Sequence, residues 1–369
     1  MRKFSLSGLR PLGVYLFAAG VFVLLEALIF RTGFYVKYVE PSSSTGSFEA
    51  TLRDEMKRNP TGKNEVLVIG DSRIGEGFSP LIANSVQGEG SYSFAQCSVP
   101  GGTPRCWYYL VRDIDPTRRR YSAIVIAMEY YEDIDRLENM ANRTLDLHYV
   151  VARLRFSDIL DFTSSFENAP ERIEAFRGSL FKGFVYQADL LAFMEHRRKR
   201  LREVAQWRRH GWEWHNAYKG RSESLSGLKV DWRTRTIQWP ANLTPGQRAS
   251  LQAAILSGPA PQKGKLGEYR RRWLGRIVDL YKDSQTALVF LALPRGPAPS
   301  PDAPVPVSTH TMRDLASRRS VYLLPEYEFR SLERPEYYFD HLHLNARGRE
   351  QFSKMLARAI PKVLGPGHN

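Results

Sequence analysis

Two short stretches, far apart along the chain, carry the residue types of nucleophilic acyl chemistry. The first is Val66-Leu67-Val68-Ile69-Gly70-Asp71-Ser72-Arg73, an apolar run that stops at a glycine and delivers a serine. The second, Asp340-His341-Leu342-His343, supplies the other two groups that such a serine needs. A serine hydroxyl is a weak nucleophile until an imidazole removes its proton, and the imidazole does so only when a third group fixes its tautomer and orientation. Ser72, His343 and Asp340 are the candidate nucleophile, base and orienting carboxylate. His341 is an alternative base, but its adjacency to Asp340 gives poorer pairing geometry.

These groups must be positioned by regular elements. Val66 to Ile69 is short, continuously apolar and β-branched, which predicts a fully buried strand, and Gly70 permits a sharp turn that lifts Ser72 out at the strand's carboxyl end. Open α/β sheets bind their ligands at that edge. In Asp340-x-x-His343 the separation lets a turn bring the carboxylate beside its own histidine, while Asn345 caps the helix expected over Ala346 to Ile360. Each stretch alone has an ordinary reading, a turn with Asp71 or Ser72 as a helix cap in one case and a surface turn in the other. Their order favours chemistry, because the serine follows the first strand of the soluble part and Asp-x-x-His precedes the last helix.

The two blocks resemble those of the SGNH or GDSL family of serine esterases and acyltransferases, whose first block is Gly-Asp-Ser and whose last is Asp-x-x-His. Gly70-Asp71-Ser72 and Asp340-x-x-His343 match them position by position, within a framework from about Asn64 to Leu364 that contains a long unmatched insertion. Ser98-Val99-Pro100-Gly101-Gly102-Thr103 is similar to the family's second block, where a glycine amide helps to bind the oxyanion; by alignment Gly101 is the better candidate and Gly102 the alternative. A plain strand-to-helix turn is the competing reading of that segment. The resemblance implies an oxyanion hole made by the Ser72 and Gly101 amides, donors that meet charge developing only in the transition state. The fourth block departs from the pattern. Where the family has Gly-x-Asn-Asp, this chain has Met128-Glu129-Tyr130-Tyr131, so that Tyr130 falls where the third donor, an asparagine, would be. A phenol can donate, whereas an ionised Glu129 cannot. Loss of one oxyanion donor typically costs about two to three orders of magnitude in turnover, which separates a fast hydrolase from a slow or specialised transferase.

The chain opens with Met1-Arg2-Lys3-Phe4 and Arg10, followed by the apolar run Leu12 to Phe30, about long enough to cross a bilayer as a helix. No small-x-small cleavage site follows, so a retained anchor is expected rather than a signal peptide. Arg2, Lys3 and Arg10 outweigh Arg31 and Lys37, favouring an N-inside orientation and a domain outside the cytoplasm, on the periplasmic side of the inner membrane in a Gram-negative cell. Glu26 is expected to snorkel to the interface.

The expected organisation is a cytoplasmic terminus over 1–11, an anchor over 12–30, a polar stalk over 31–63, an α/β domain over 64–132 and 266–369, and a helical insertion or cap over 133–265. Strands at Val66 to Ile69, Ala123 to Ala127, Ala287 to Leu293 and Val321 to Leu324 alternate with helices at Thr103 to Asp115, Leu266 to Lys282 and the final segment, which implies a parallel sheet covered on both faces. The family resemblance implies the three-layer α/β/α version of that class. In the insertion, Phe184, Leu190, Leu191, Met194 and Leu201 recur at helical spacing, and Gly258-Pro259-Ala260-Pro261 marks its end. Pro294 to Pro306, with six prolines, is expected to be a stiff loop on the catalytic rim.

The formal charge of +14 implies an acidic partner. His196-Arg197-Arg198-Lys199-Arg200-Leu201-Arg202 and Arg208-Arg209, interleaved with Trp207, Trp212 and Trp214, concentrate it, and Arg270-Arg271-Arg272-Trp273 repeats the theme. Outside the cytoplasm, anionic lipid head groups or polysaccharide fit better than nucleic acid; a solvated helix face is the plain alternative. Cys97 and Cys106 are the only cysteines, a pair that is free to form a disulfide in that compartment but whose spacing does not show one. None of the eight histidines falls in a ligand motif, so no metal and no cofactor is expected. The expected function is that of a membrane-anchored serine esterase or O-acyltransferase acting on acyl esters of a cell-envelope polysaccharide, by analogy with anchored SGNH proteins that O-acetylate exopolysaccharides such as alginate. Expected partners are an acylated glycan or small ester, the membrane, and a membrane acyltransferase or polysaccharide-synthesis component. The alternative is a catalytically inactive protein of the same fold that binds glycan or a membrane partner.

Overall fold

A computed structural model describes residues 9–88, 92–129, 131, 140–210, 217–257, 267–300 and 310–365. The chain forms two compact units, one of residues 50–141 and 211–369 and one of residues 1–49 and 142–210.

The first unit is α/β. Its sheet contains β1 (Asn64–Gly70), β2 (Tyr92–Ser98), β3 (Ala123–Met128), β6 (Ala287–Ala292) and β7 (Val321–Leu323), all parallel, in the order β2-β1-β3-β6-β7. The intervening β4 (Lys229–Asp231) and β5 (Thr236–Gln238) pair separately as an antiparallel hairpin. Val66 to Gly70 are buried, as a parallel strand covered on both faces requires, and Val66 and Val68 share a core with Phe352, Leu356 and Ile360 of the last helix, Ala346–Leu364. From β1 the chain runs outward to β2, then returns past β1 to β3. The reversal leaves a crevice between the carboxyl ends of β1 and β3, the place where such sheets bind ligands. Gly70 and Met128 end the two strands there.

Each expected strand and helix of the framework is present, shifted by a few residues at the ends. The Thr103 helix spans Pro104–Ile114, with the Thr103 hydroxyl accepting from the Cys106 amide and Pro104 in the first turn. The helix expected from Leu266 spans Glu268–Leu280, Leu266 itself lying outside the described residues. β2 is a strand that the sequence reading did not expect. Its sequence, Tyr-Ser-Phe-Ala-Gln-Cys-Ser, mixes polar with apolar side chains, yet every residue is buried. Gln96 Nε2 donates to the Ile74 carbonyl at 2.8 Å and to the Ser98 hydroxyl at 3.2 Å, and the Asn84 side chain of the neighbouring helix pairs with the Phe94 backbone at 2.7 and 3.1 Å.

Two boundaries differ from the sequence reading. The hairpin and its surroundings, expected in the insertion, belong to the α/β unit because Leu225, Leu228 and Leu251 are buried in its core. The segment expected as a polar stalk holds the helix Ser44–Lys57. In the α/β unit its Thr51 hydroxyl donates to the Ser98 carbonyl at 3.2 Å, and Glu55 binds Arg58 and the Tyr121 hydroxyl at 2.7 and 2.8 Å. The markers Gly258 to Pro261 lie outside the described residues, as do residues 301–309 of the proline-rich run.

The second unit is helical, with Leu145–Val150, Ile159–Ser164, Ala169–Leu180, Lys182–Glu195 and Arg197–His210 beside the amino-terminal helix Leu9–Leu25. That helix continues as one π turn, Glu26–Arg31, and the stretch Gly13–Arg31 is long and apolar enough to cross a membrane. Glu26 does not snorkel. It is 6 % exposed, and its carboxylate accepts the Lys182 and Gly183 amides at 2.7 and 2.9 Å, capping the Lys182–Glu195 helix. An anion at the start of a helix answers both its unsatisfied amides and its dipole, which explains why the acid folds inward rather than reaching for water. The basic clusters also divide. Arg197, Arg198, Lys199 and Arg202 are exposed, whereas Arg200 is buried against Glu40 and Asp189, each at 2.8 Å. Arg270 and Trp273 are core residues, and Trp212 and Trp214 lie outside the described residues.

Candidate active site

Ser72 opens the short helix Ser72–Gly77 immediately after β1. Asp71 is its N-cap, accepting from the Arg73 amide at 2.9 Å, which leaves the serine hydroxyl unused by the cap. Gly70 is required here for space. It has no left-handed φ, but a Cβ on it would stand 2.5 Å from Ile74 Cγ1 and 3.3 Å from Ala127 Cβ. The turn is tight because the helix folds straight back onto the sheet.

The second half of the site comes from the chain's other end. Tyr338 and Leu344 form an antiparallel bridge, and between them Asp340 to His343 make a closed turn. One Asp340 oxygen accepts the Leu342 and His343 amides at 2.8 and 2.7 Å; the other lies 2.8 Å from His343 Nδ1. Asn345 then caps Ala346–Leu364 through the Gly348 amide at 3.1 Å. From this turn His343 Nε2 reaches Ser72 Oγ at 2.8 Å, across a sequence separation of 271 residues. With the proton of Nδ1 directed at the carboxylate, Nε2 accepts from the hydroxyl, which is the arrangement a general base needs. The hydroxyl's partner is His343, not His341.

Charge is arranged consistently with this. Burial opposes ionisation of Asp340, but the His343 hydrogen bond and charge and the two backbone amides outweigh it and hold the carboxyl below the usual range. For Asp71, burial is outweighed by Arg73 first and His343 after it. Arg73 lies between Asp71, at 2.8 Å, and Glu129, at 3.7 Å, so that its guanidinium is engaged by neighbouring carboxylates.

Of the remaining oxyanion candidates, Gly101 has a left-handed φ of 70° and is exposed at the turn after β2. Gly102 is excluded as the donor because its amide is given to the Val99 carbonyl at 2.7 Å. Ser72 is the first residue of its helix, where an amide has no intrahelical acceptor. Tyr130 lies outside the described residues. Cys97 and Cys106 are free buried thiols rather than a disulfide. Among the described residues no group of three or more histidine, cysteine or acidic side chains is placed to hold a metal.

Two supporting residues escaped sequence reading. Arg349 is 1 % exposed and donates to the Gly75 and Glu76 carbonyls at 2.7 Å each, tying the last helix to the helix of the nucleophile. The Phe339 ring stacks on His343 at 5.6 Å between centroids. An arginine one turn into the helix that follows Asp-x-x-His was the available signal for the first; nothing in the sequence marked the second.

No family model matches this chain, and a search of curated proteins finds none that matches it.

Proposed function

We propose that this protein is a membrane-anchored serine esterase or O-acyltransferase of the SGNH type, acting on acyl esters of a cell-envelope polysaccharide. The observation that carries the reading is the continuous relay from Asp340 through His343 to Ser72, with both ring nitrogens 2.8 Å from their partners. Its position at the switch point of a parallel sheet adds support. Ser72 Oγ attacks the acyl carbonyl as its proton passes to His343 Nε2, and the imidazolium is held by Asp340. The tetrahedral oxyanion is received by the Ser72 and Gly101 amides. Collapse expels the alcohol, which takes the proton from His343, and leaves an acyl group on Ser72. Water or a sugar hydroxyl then gives its proton to His343, attacks the ester and frees Ser72.

The span Gly13–Arg31 serves as the anchor, with the amino terminus inside and the chain that follows the span outside the cytoplasm. Polysaccharide-synthesis components and a membrane acyltransferase are the partners this reading assigns. Fluorophosphonate labelling tests it: wild type should become labelled and Ser72→Ala should not, with unchanged melting temperature. Well-folded wild type that takes no label, together with full complementation by Ser72→Ala in cells, would instead establish a glycan-binding or partner-binding role without catalysis.

A further inference from the structure

The apolar residues at helical spacing in the second unit are not core. Phe156, Leu160 and Ile173 keep 69, 75 and 67 % of their surface open, and Phe176, Phe184 and Leu191 keep 42, 43 and 50 %. Isolated exposed apolar side chains are ordinary, but these come from successive helices of one small unit. Ile173 and Phe176 lie a turn apart on Ala169–Leu180, and Phe184 and Leu191 lie two turns apart on one face of Lys182–Glu195.

The apolar span shows what covers them. Phe22 stands about 13 Å along the helix axis from Arg31, at roughly 1.5 Å per residue. Its ring lies 5.4 Å from that of Phe181 and 5.8 Å from that of Phe184. Glu26 holds the amides of Lys182 and Gly183, and Gly183 permits the approach, since a Cβ there would meet Phe30 at 3.0 Å. The Arg31 guanidinium sits 4.1 Å over the Phe156 ring and donates to the Ser179 and Leu180 carbonyls. These helices are therefore fastened to the span below its end, and a bilayer that takes in Phe22 also meets Phe181 and Phe184.

We infer that Phe156, Leu160, Ile173, Phe176, Phe184 and Leu191 form a lipid-binding collar that inserts into the leaflet around the carboxyl end of the span. The ligand is the bilayer itself, acyl chains against the apolar side chains and anionic head groups against the cations beside them. Arg155, Arg172 and Arg177 are exposed among these residues, and Arg177 lies 5.1 Å over the Phe184 ring, the pairing of aromatic and cation that suits the boundary between chains and head groups. The proposal rests on Gly13–Arg31 being a membrane span, a reading the test scores separately.

The test uses the full chain in phosphatidylcholine–phosphatidylglycerol vesicles, with one nitroxide in turn at Phe17→Cys, Leu160→Cys, Ile173→Cys, Leu191→Cys and Arg198→Cys. All five positions are exposed and the native thiols are buried, so labelling spares the fold and goes to the introduced cysteine. Collision with oxygen should exceed collision with a water-soluble nickel chelate at 17, 160, 173 and 191, and the ratio should reverse at 198. Water-like ratios at 160, 173 and 191 with a lipid-like 17 would overturn the collar and leave the span intact. A water-like 17 would overturn the span as well. Shielding from both reagents at 160, 173 and 191 would show a protein partner in place of lipid, and would also overturn the proposal.

Discussion

Asp340→Asn is the most exacting perturbation of the proposed relay, because it changes one group and leaves its shape. In the native turn one carboxylate oxygen accepts two amides, at 2.8 and 2.7 Å, while the other faces His343 Nδ1. An amide can satisfy only one side as an acceptor. If its oxygen keeps the backbone amides, its NH2 faces Nδ1, which must then be unprotonated; the proton moves to Nε2 and points at Ser72, so no base remains. Flipping the amide restores the useful tautomer but sets NH2 against two amide donors. Each buried amide left without an acceptor costs about 1–3 kcal/mol, so the flip costs about 2–6 kcal/mol. That leaves the active form about 30- to 10⁴-fold depleted, reaching the loss that the wrong tautomer causes in serine hydrolases, about 10⁴. The assay is the second-order rate of fluorophosphonate labelling at Ser72, with circular dichroism and melting temperature as controls for fold. A variant that labels within about tenfold of wild type would refute the reasoning, because the flip would then cost no more than 1.4 kcal/mol or so.

Acid stability follows from the two carboxyls held below their usual range, Asp71 and Asp340. A group with a depressed folded value stabilises fully above its unfolded value of about 3.9 and loses that contribution as pH falls through the folded one. The melting temperature should therefore drop steeply below about pH 4, and Asp71→Asn, lower in stability at neutral pH, should show a shallower acid limb in thermal scans. Burial, followed by the charge of Glu55, pushes the Cys97 thiol well above its ordinary value. Ellman's reagent at about pH 8 should leave Cys97 and Cys106 unmodified in native protein and titrate both after denaturation, and reductant should not shift the melting temperature.

The part of the molecule that was legible in the sequence is the part whose chemistry is local. β1 advertises itself by unbroken apolar residues, and the Asp340 turn needs only its own neighbours to form, so both could be located and oriented from the chain alone. β2 could not, because Ser93, Gln96 and Ser98 disguise a buried strand as a polar one, and the Ile74 carbonyl that accepts from Gln96 belongs to another element. Glu26 was misjudged for a related reason. Its amide donors lie 156 and 157 residues away, and no local pattern announces a cap delivered from so far. The division into units was hidden likewise, since Leu225 and Leu251 join the α/β core through contacts that only the folded chain reveals.

Ser72, the proposed nucleophile, follows the first strand of the sheet, and His343, its proposed base, lies in the turn before the last helix, whose Arg349 clasps the helix that Ser72 opens. A nascent chain emerging from a ribosome thus carries this serine without its imidazole partner throughout. On the proposed reading reactivity would arise only when the final segment has emerged and docked, so that synthesis and maturation are ordered by the polymer itself.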